Sequence, residues 1–148
     1  MYALVVPSND PEEKARYDKE VEEIAMQIAM AYEQELGAEV RDVSTPQKAL
    51  EAGLTEYPGF DLLSIRPGGE RIGIEVKGRA KVGDIELSEN EWAKAATIRD
   101  RYWLYVVYNC ATPNPMLLRI QDPFGSLLAR AKGGVIIDEK EIFKAAKR

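Results

Sequence analysis

Apolar and polar positions along the chain change period several times, and each change marks an element. Asp10-Pro11-Glu12-Glu13 has the form of a helix start: a capping side chain, proline at the first helical position, acids in the first turn. A helix is predicted over about 11–36, stopped by Gly37. At about 100° per residue, Val21, Ile24, Ala25, Ile28 and Tyr32 share a face. Met26, Ala29 and Met30 widen it and leave a narrow polar stripe of Glu20, Glu23, Gln27 and Gln34. A helix apolar on most sides packs on most sides, so Glu23 and Gln27 are expected to look into a cleft.

The period then shortens to two. Ala38 to Ser44 reads as a strand, and Thr45 to Pro58 as a loop with a helical turn at Gln47 to Ala52. Phe60 to Arg66, the turn Pro67-Gly68-Gly69 and Glu70 to Lys77 form a hairpin, the core of the chain at about 59–78. Ser88-Glu89-Asn90-Glu91 is a capping box opening a helix over about 88–99. Tyr102 to Tyr108 is apolar on both faces and reads as a central strand, about 102–108. Leu117 to Ile120 and Val135 to Ile137 are short strands, and Asp138 with Glu141 caps a C-terminal helix at about 139–147. No repeat or internal boundary appears, so residues 1–148 are expected to form one α/β domain: a mixed central sheet with flanking helices.

The hairpin register follows from which faces match. In the second strand Ile72, Ile74 and Val76 point one way, and Gly73, Glu75 and Lys77 the other. A two-residue loop would mix apolar and polar faces. A three-residue loop, Pro67 to Gly69, aligns Phe60 and Leu62 with the isoleucines and sets Asp61 opposite Glu75. The second register is preferred.

Composition narrows the chemistry. The chain has no histidine, which excludes His-based nucleophile activation and His-ligated zinc, and its one cysteine, Cys110, excludes a disulfide or a multi-Cys zinc site. Cys110 reads as an inert thiol. No apolar run approaches membrane length and no secretory leader opens the chain, so a cytoplasmic protein with no membrane partner is expected. A net charge of −5 argues against a dedicated tight nucleic-acid binder, though not against an enzyme with a local basic rim.

Hydrolysis must then run on carboxylates, lysine and an oxygen-bound metal. Opposed cross-strand residues have Cβ atoms roughly 4.5–5.5 Å apart. Two carboxylates at that spacing repel, and one is protonated unless a cation lies between them. Mg²⁺ or Mn²⁺ held by Asp61 and Glu75 answers this, since Mg²⁺ takes one or two carboxylates plus water and phosphate oxygens. Lys77, on the same face, can neutralise a phosphate oxygen or orient the attacking water.

Gly59-Phe60-Asp61 followed by Ile74-Glu75-Val76-Lys77 resembles the D…ExK signature of the PD-(D/E)XK nuclease superfamily. Asp42-Val43-Ser44, Gly59 to Leu62, Ile74 to Arg79, Leu87 to Trp92 and Tyr102 to Tyr105 together resemble the domain named for the C-terminal region of the plant NO VEIN protein. The likeness runs over roughly Val21 to Asp138. It implies a restriction-endonuclease-like core, DNA as partner, and a helicase or restriction-type subunit alongside. It further implies Asp61 and Glu75 as metal ligands, Lys77 as the catalytic lysine, and a first-helix glutamate near the metal. Glu23 is the choice for that last role, with Glu22 and Glu20 as alternatives. Pro58 stands three residues before Asp61, a departure from the superfamily's named spacing.

Arg71, Arg79 and Lys81, with Arg66, form a basic group read as phosphate contacts, set against ordinary surface charge; Gln27 is a second site-facing candidate. Glu89, Asn90 and Trp92 read as cap and core, and Trp103, Tyr105 and Tyr108 as core. Gly73 to Ala80 has glycines at phosphate-loop spacing but lacks the lysine and hydroxyl, so no nucleotide cofactor is expected. The leading expectation is a metal-dependent nuclease-like domain acting on DNA phosphodiester bonds. The rivals are a nuclease-fold module that docks DNA or protein without cutting, and a structural domain whose charged face contacts protein.

Overall fold

A computed structural model describes residues 10–127, 130–131 and 134–147. The chain starts with helix α1 (Pro11–Glu35), whose cap Asp10 accepts from the Glu12 N–H at 2.9 Å. Strand β1 (Glu39–Asp42) follows, then α2 (Pro46–Glu51), capped by Thr45. The hairpin is β2 (Leu62–Ile65) and β3 (Arg71–Gly78). Strand β4 (Ile85–Leu87) and helix α3 (Glu89–Ile98) lead to β5 (Tyr102–Tyr108) and β6 (Met116–Gln121). A single turn, α4 (Pro123–Ser126), then β7 (Arg130–Ala131), β8 (Val135–Ile137) and α5 (Glu139–Ala145) complete it.

The main sheet has five strands in the order β1-β2-β3-β5-β6. Only β3 and β5 run parallel; the other neighbours are antiparallel, so the sheet is mixed as expected. A parallel pair needs a crossover, and β4 with α3 supplies it. A second, three-stranded sheet, β4-β8-β7, departs from the single sheet expected. Its seed, Ile85-Glu86-Leu87, is a three-residue strand in a charged stretch, too short for an alternation signal. It finds its partners, Val135 to Ile137, only far along the chain.

Strand β5 is buried along all seven residues. Trp103 and Tyr105 pack on one face with Ala29, Leu62, Ile72 and Ile74. Tyr102 packs on the other with Phe60, Leu63 and Ala95. Leu104, Val106 and Tyr108 pack there against Ile85, Leu87, Ile137 and Ile142. Helix α1 covers the first face through Val21, Ala25, Ala29 and Glu33, a stripe at four-residue spacing. The helix crosses β3 closely: a Cβ on Gly78 would lie 2.7 Å from that of Ala25.

The hairpin has the expected register, with Leu62 opposite Ile74 and Ser64 opposite Ile72, closed by the Arg66 N–H to Glu70 carbonyl bond at 2.8 Å. The placement of Phe60 differs. Its ring packs with Leu63, Ala95 and Tyr102 and lies over Gly73, where an added Cβ would sit 2.5 Å from a ring carbon. Gly59, with φ 87°, turns the chain just before it. Asp61 then donates its N–H to the Ile74 carbonyl at 3.0 Å, which ends the regular ladder beyond Leu62 and lets Phe60 cross to the α3 face.

Candidate functional site

Three elements bring their acids to the C-terminal end of β3. Asp61, at the hairpin entrance, is held by backbone: its carbonyl accepts from Val43 N–H at 2.8 Å and its carboxylate from Val76 N–H at 2.8 Å. Glu75 lies inside β3, flanked by β2 and β5, and is 2% exposed. Lys77, two residues on, shares its face; its Nζ is 3.5 Å from Glu75 Oε2 and 3.0 and 3.1 Å from the two oxygens of Glu91. Glu91 has a double task. It closes the capping box of α3, accepting from Ser88 N–H at 2.8 Å while Ser88 Oγ accepts from its own N–H, and it holds the lysine. These four side chains line a cavity of about 280 Å³, with Glu22, Ala25 and Met26 of α1 on the opposite wall.

The electrostatics are lopsided. Burial pushes the Glu75 carboxyl far above its usual range, to about 11, and the neighbouring negative charge and hydrogen bond of Asp61 add to it; Lys77 opposes only in part. Asp61 is raised as well, chiefly by burial. Burial disfavours the Lys77 ammonium, but Glu75 and Glu91 outweigh it and hold the lysine charged. Burial likewise disfavours ionised Glu91, and the Ser88 N–H, Glu75 and Lys77 together reverse the balance, leaving it below the usual range. Glu75 Oε1 and the Tyr102 hydroxyl are buried without a hydrogen-bond partner among the described residues.

The residues present fit a divalent cation of the Mg²⁺ kind. Asp61 and Glu75 are two hard oxygen donors, one of them with an unpartnered buried oxygen, in an open cavity with room for water and a phosphate. Among the described residues no group of three or more His, Cys, Asp or Glu is placed to form an all-protein cage. Mg²⁺ completes its shell with water and substrate oxygens, so two protein carboxylates suffice for it.

The other candidates are distributed differently. Glu23 and Gln27 are exposed and do not line the cavity, whereas Glu22 does. Glu23 lies two residues beyond the buried Val21 and Gln27 two beyond Ala25, some 200° round the helix, so both face outward. Arg79 lines an adjoining cavity and donates to the Asp84 carbonyl at 3.0 Å. Lys81 is exposed on the loop beyond. Arg71 is exposed at the other end of β3, about 20 Å of extended chain away. Arg66 is withdrawn from any basic rim: it pairs at 3.0 and 3.1 Å with Glu33, a fully buried helix residue that also accepts from Ser64 Oγ at 2.8 Å and from the Tyr105 hydroxyl. Two further cavities, walled by β4 and β8, share Lys77 with the first, so one trough runs from α1 across the end of β3 to the small sheet.

Glu91 and Glu33 are what sequence reasoning missed. Glu91 was fully accounted for by its capping box. The available signal was its place at the first turn of the helix that immediately follows the β3 crossover.

A family model described as Protein NO VEIN, C-terminal, matches residues 21–120, a span that contains all four site residues. No curated protein and no solved structure gives a match. No helix among the described residues is long and apolar enough to cross a membrane.

Proposed function

The chain belongs to the NO VEIN C-terminal family, and on that premise we propose that it is a divalent-metal-dependent nuclease-like domain with a restriction-endonuclease-like core. Its substrate is the DNA phosphodiester bond, reached alongside a helicase or DNA-modification partner. The observation that carries this reading is the meeting of Asp61 and Glu75, with an unpartnered buried oxygen on Glu75, beside a charged Lys77 in an open cavity. Bound between the two carboxylates, Mg²⁺ or Mn²⁺ would polarise a phosphoryl oxygen and lower the pKa of its water.

The chain's own residues do the rest. Asp61 is fixed by the Val76 N–H and presents its remaining lone pairs. Glu75, once ionised, supplies the second donor. Lys77 stays protonated under the influence of Glu75 and Glu91 and can donate to a phosphate oxygen at the cavity mouth. Glu22 takes the first-helix position expected of Glu23. Arg79, on the adjoining wall of the trough, is the basic residue best placed to meet a neighbouring phosphate.

The test is a plasmid-nicking assay with millimolar Mg²⁺ or Mn²⁺, comparing wild type with Glu75→Ala and Lys77→Ala. Nicking that requires metal and vanishes in both variants, with unchanged circular dichroism, supports the reading. A wild type that never nicks ends it. One observation favours a second reading, a docking module that does not cut: Lys77 is engaged by two carboxylates at 3.0–3.5 Å and so is not free to act until one releases it. Metal-independent DNA binding at low salt without cleavage would decide for that second reading.

A further inference from the structure

Three of the four site carboxylate and ammonium groups are oriented by a visible partner. Asp61 is held by the Val76 N–H, Lys77 by Glu91, and Glu91 by the Ser88 N–H. Glu75 differs. Its Oε2 faces Lys77 at 3.5 Å, a loose ion pair, and its Oε1 meets no donor. In the metal-free protein its hydrogen bonds run to the carboxyls of Asp61 and Glu91; once ionised to take a metal it can only accept, and neither acid then orients the group on which the proposed metal site turns.

The second unpartnered buried atom lies on the same face of the same pair of strands. In the parallel β3–β5 ladder, Tyr102 stands opposite Gly73 and Leu104 opposite Glu75. Tyr102 and Glu75 are therefore diagonal neighbours, with side chains on the α3 face. Gly73 sends no side chain between them, and the Phe60 ring lies over it. Tyr102 is 0% exposed and its hydroxyl has no partner. Of the charges that bear on that hydroxyl, Glu75 is the foremost. A phenol can donate and a carboxylate can only accept, so the two orphans are complementary. They are not in direct hydrogen-bond contact, and one buried water with these two partners satisfies both.

We propose that Tyr102 is a positioning residue for Glu75, its hydroxyl holding a water that donates to Glu75 Oε1 and fixes the carboxylate at the back of the cavity. The proposal rests on the metal-site reading for what Glu75 does, but not for the bridge itself. Partners behind a metal-ligating carboxylate matter in proportion: their loss costs about 10–100-fold in metal affinity.

The experiment is a double-mutant cycle on the full chain with Tyr102→Phe, Glu75→Ala, which removes the Oε1 acceptor, and the double variant, read in two ways. Phe keeps the ring and removes only the hydroxyl, so the fold is retained. In Mn²⁺ titration by calorimetry, Tyr102→Phe is expected to weaken binding about 10-fold in the wild-type background and to change nothing further in Glu75→Ala. In metal-free thermal unfolding the two substitutions are expected to be non-additive by about 3 °C. Unchanged Mn²⁺ affinity in Tyr102→Phe overturns the positioning role, as does an equal loss in both backgrounds. If the wild type binds no Mn²⁺, the metal reading fails, and the metal-free cycle alone decides the bridge: additivity overturns it, non-additivity upholds it.

Discussion

Two buried glutamates, Glu33 and Glu75, stand on opposite faces of one sheet and have opposite electrostatics. Both are shielded from water, at 0% and 2% exposure. Glu33 meets an Arg66 guanidinium in bidentate geometry, the Ser64 hydroxyl and the Tyr105 hydroxyl. Those bonds outweigh the cost of burial and hold its carboxyl below the usual range. Glu75 meets Asp61 and Glu91, two groups of its own sign, and a single lysine shared with Glu91. Burial is the same in both cases; the company decides. A buried carboxylate surrounded by donors ties the fold together. One surrounded by other carboxylates is left wanting a cation, and that is why the proposed metal site is placed on the α3 face.

The largest expected effect tests the Glu33 side. Glu33→Ala leaves Arg66 with only the exposed Glu70 carboxylate at 3.6 Å and should cost about 3 kcal/mol or more in chemical denaturation. A loss below about 1 kcal/mol would erase the contrast. Next comes the pH response of metal-free protein, where the two acids pull in opposite directions. Glu75 has a folded pKa raised from 4.5 to about 11, so its contribution is fully present below about pH 4.5 and is lost as pH rises. Between pH 6 and 8 the slope should approach about 1.4 kcal/mol per unit at most. Glu75→Gln should flatten it, and so should saturating Mg²⁺. Glu33 has a lowered folded pKa, so its contribution is present above the unfolded value and fades as pH falls below it. A metal-free stability profile that is flat from pH 6 to 8 in wild type would place Glu75 in the same class as Glu33. The smallest effect separates the two tasks of Glu91. Ser88→Ala removes one side of the capping box and should cost about 1 kcal/mol. The Lys77–Glu91 pair should survive, so metal affinity should change less than twofold.

The meeting of Asp61, Glu75 and Lys77 is largely legible from sequence because strand alternation carries geometric information. Ile72, Ile74 and Val76 define one face, the turn at Pro67 to Gly69 defines the offset, and together they set Asp61 against Glu75. The Glu33 side was not legible. Nothing local distinguishes Glu33 from the other acids of α1, since its burial depends on Ser64, Arg66 and Tyr105 arriving from distant strands. For the same reason Arg66 looked like part of a basic rim. The choice of Glu23 over Glu22 failed because the buried stripe of α1 is centred on small residues, Ala25 and Ala29, and not on the larger Ile24 and Ile28. Small residues at a close helix–strand crossing say more about contact than bulk does. The small sheet escaped because three-residue strands show no period.

The trough that joins the three cavities carries one more consequence, in the kinetics of encounter. Charged acids outnumber bases along it even with Glu75 held neutral: Glu22, Asp61, Asp84, Glu86 and Glu91 set against Lys77 and Arg79. A polyanion diffusing toward this mouth moves against the field instead of being steered by it. Added monovalent salt, which shortens the reach of charge to about 10 Å at 0.1 M, should therefore speed association with DNA where it slows a basic binder. On the proposed function, a tethered neighbour would then have to raise the local concentration of DNA, and the domain's own on-rate would carry little of the specificity.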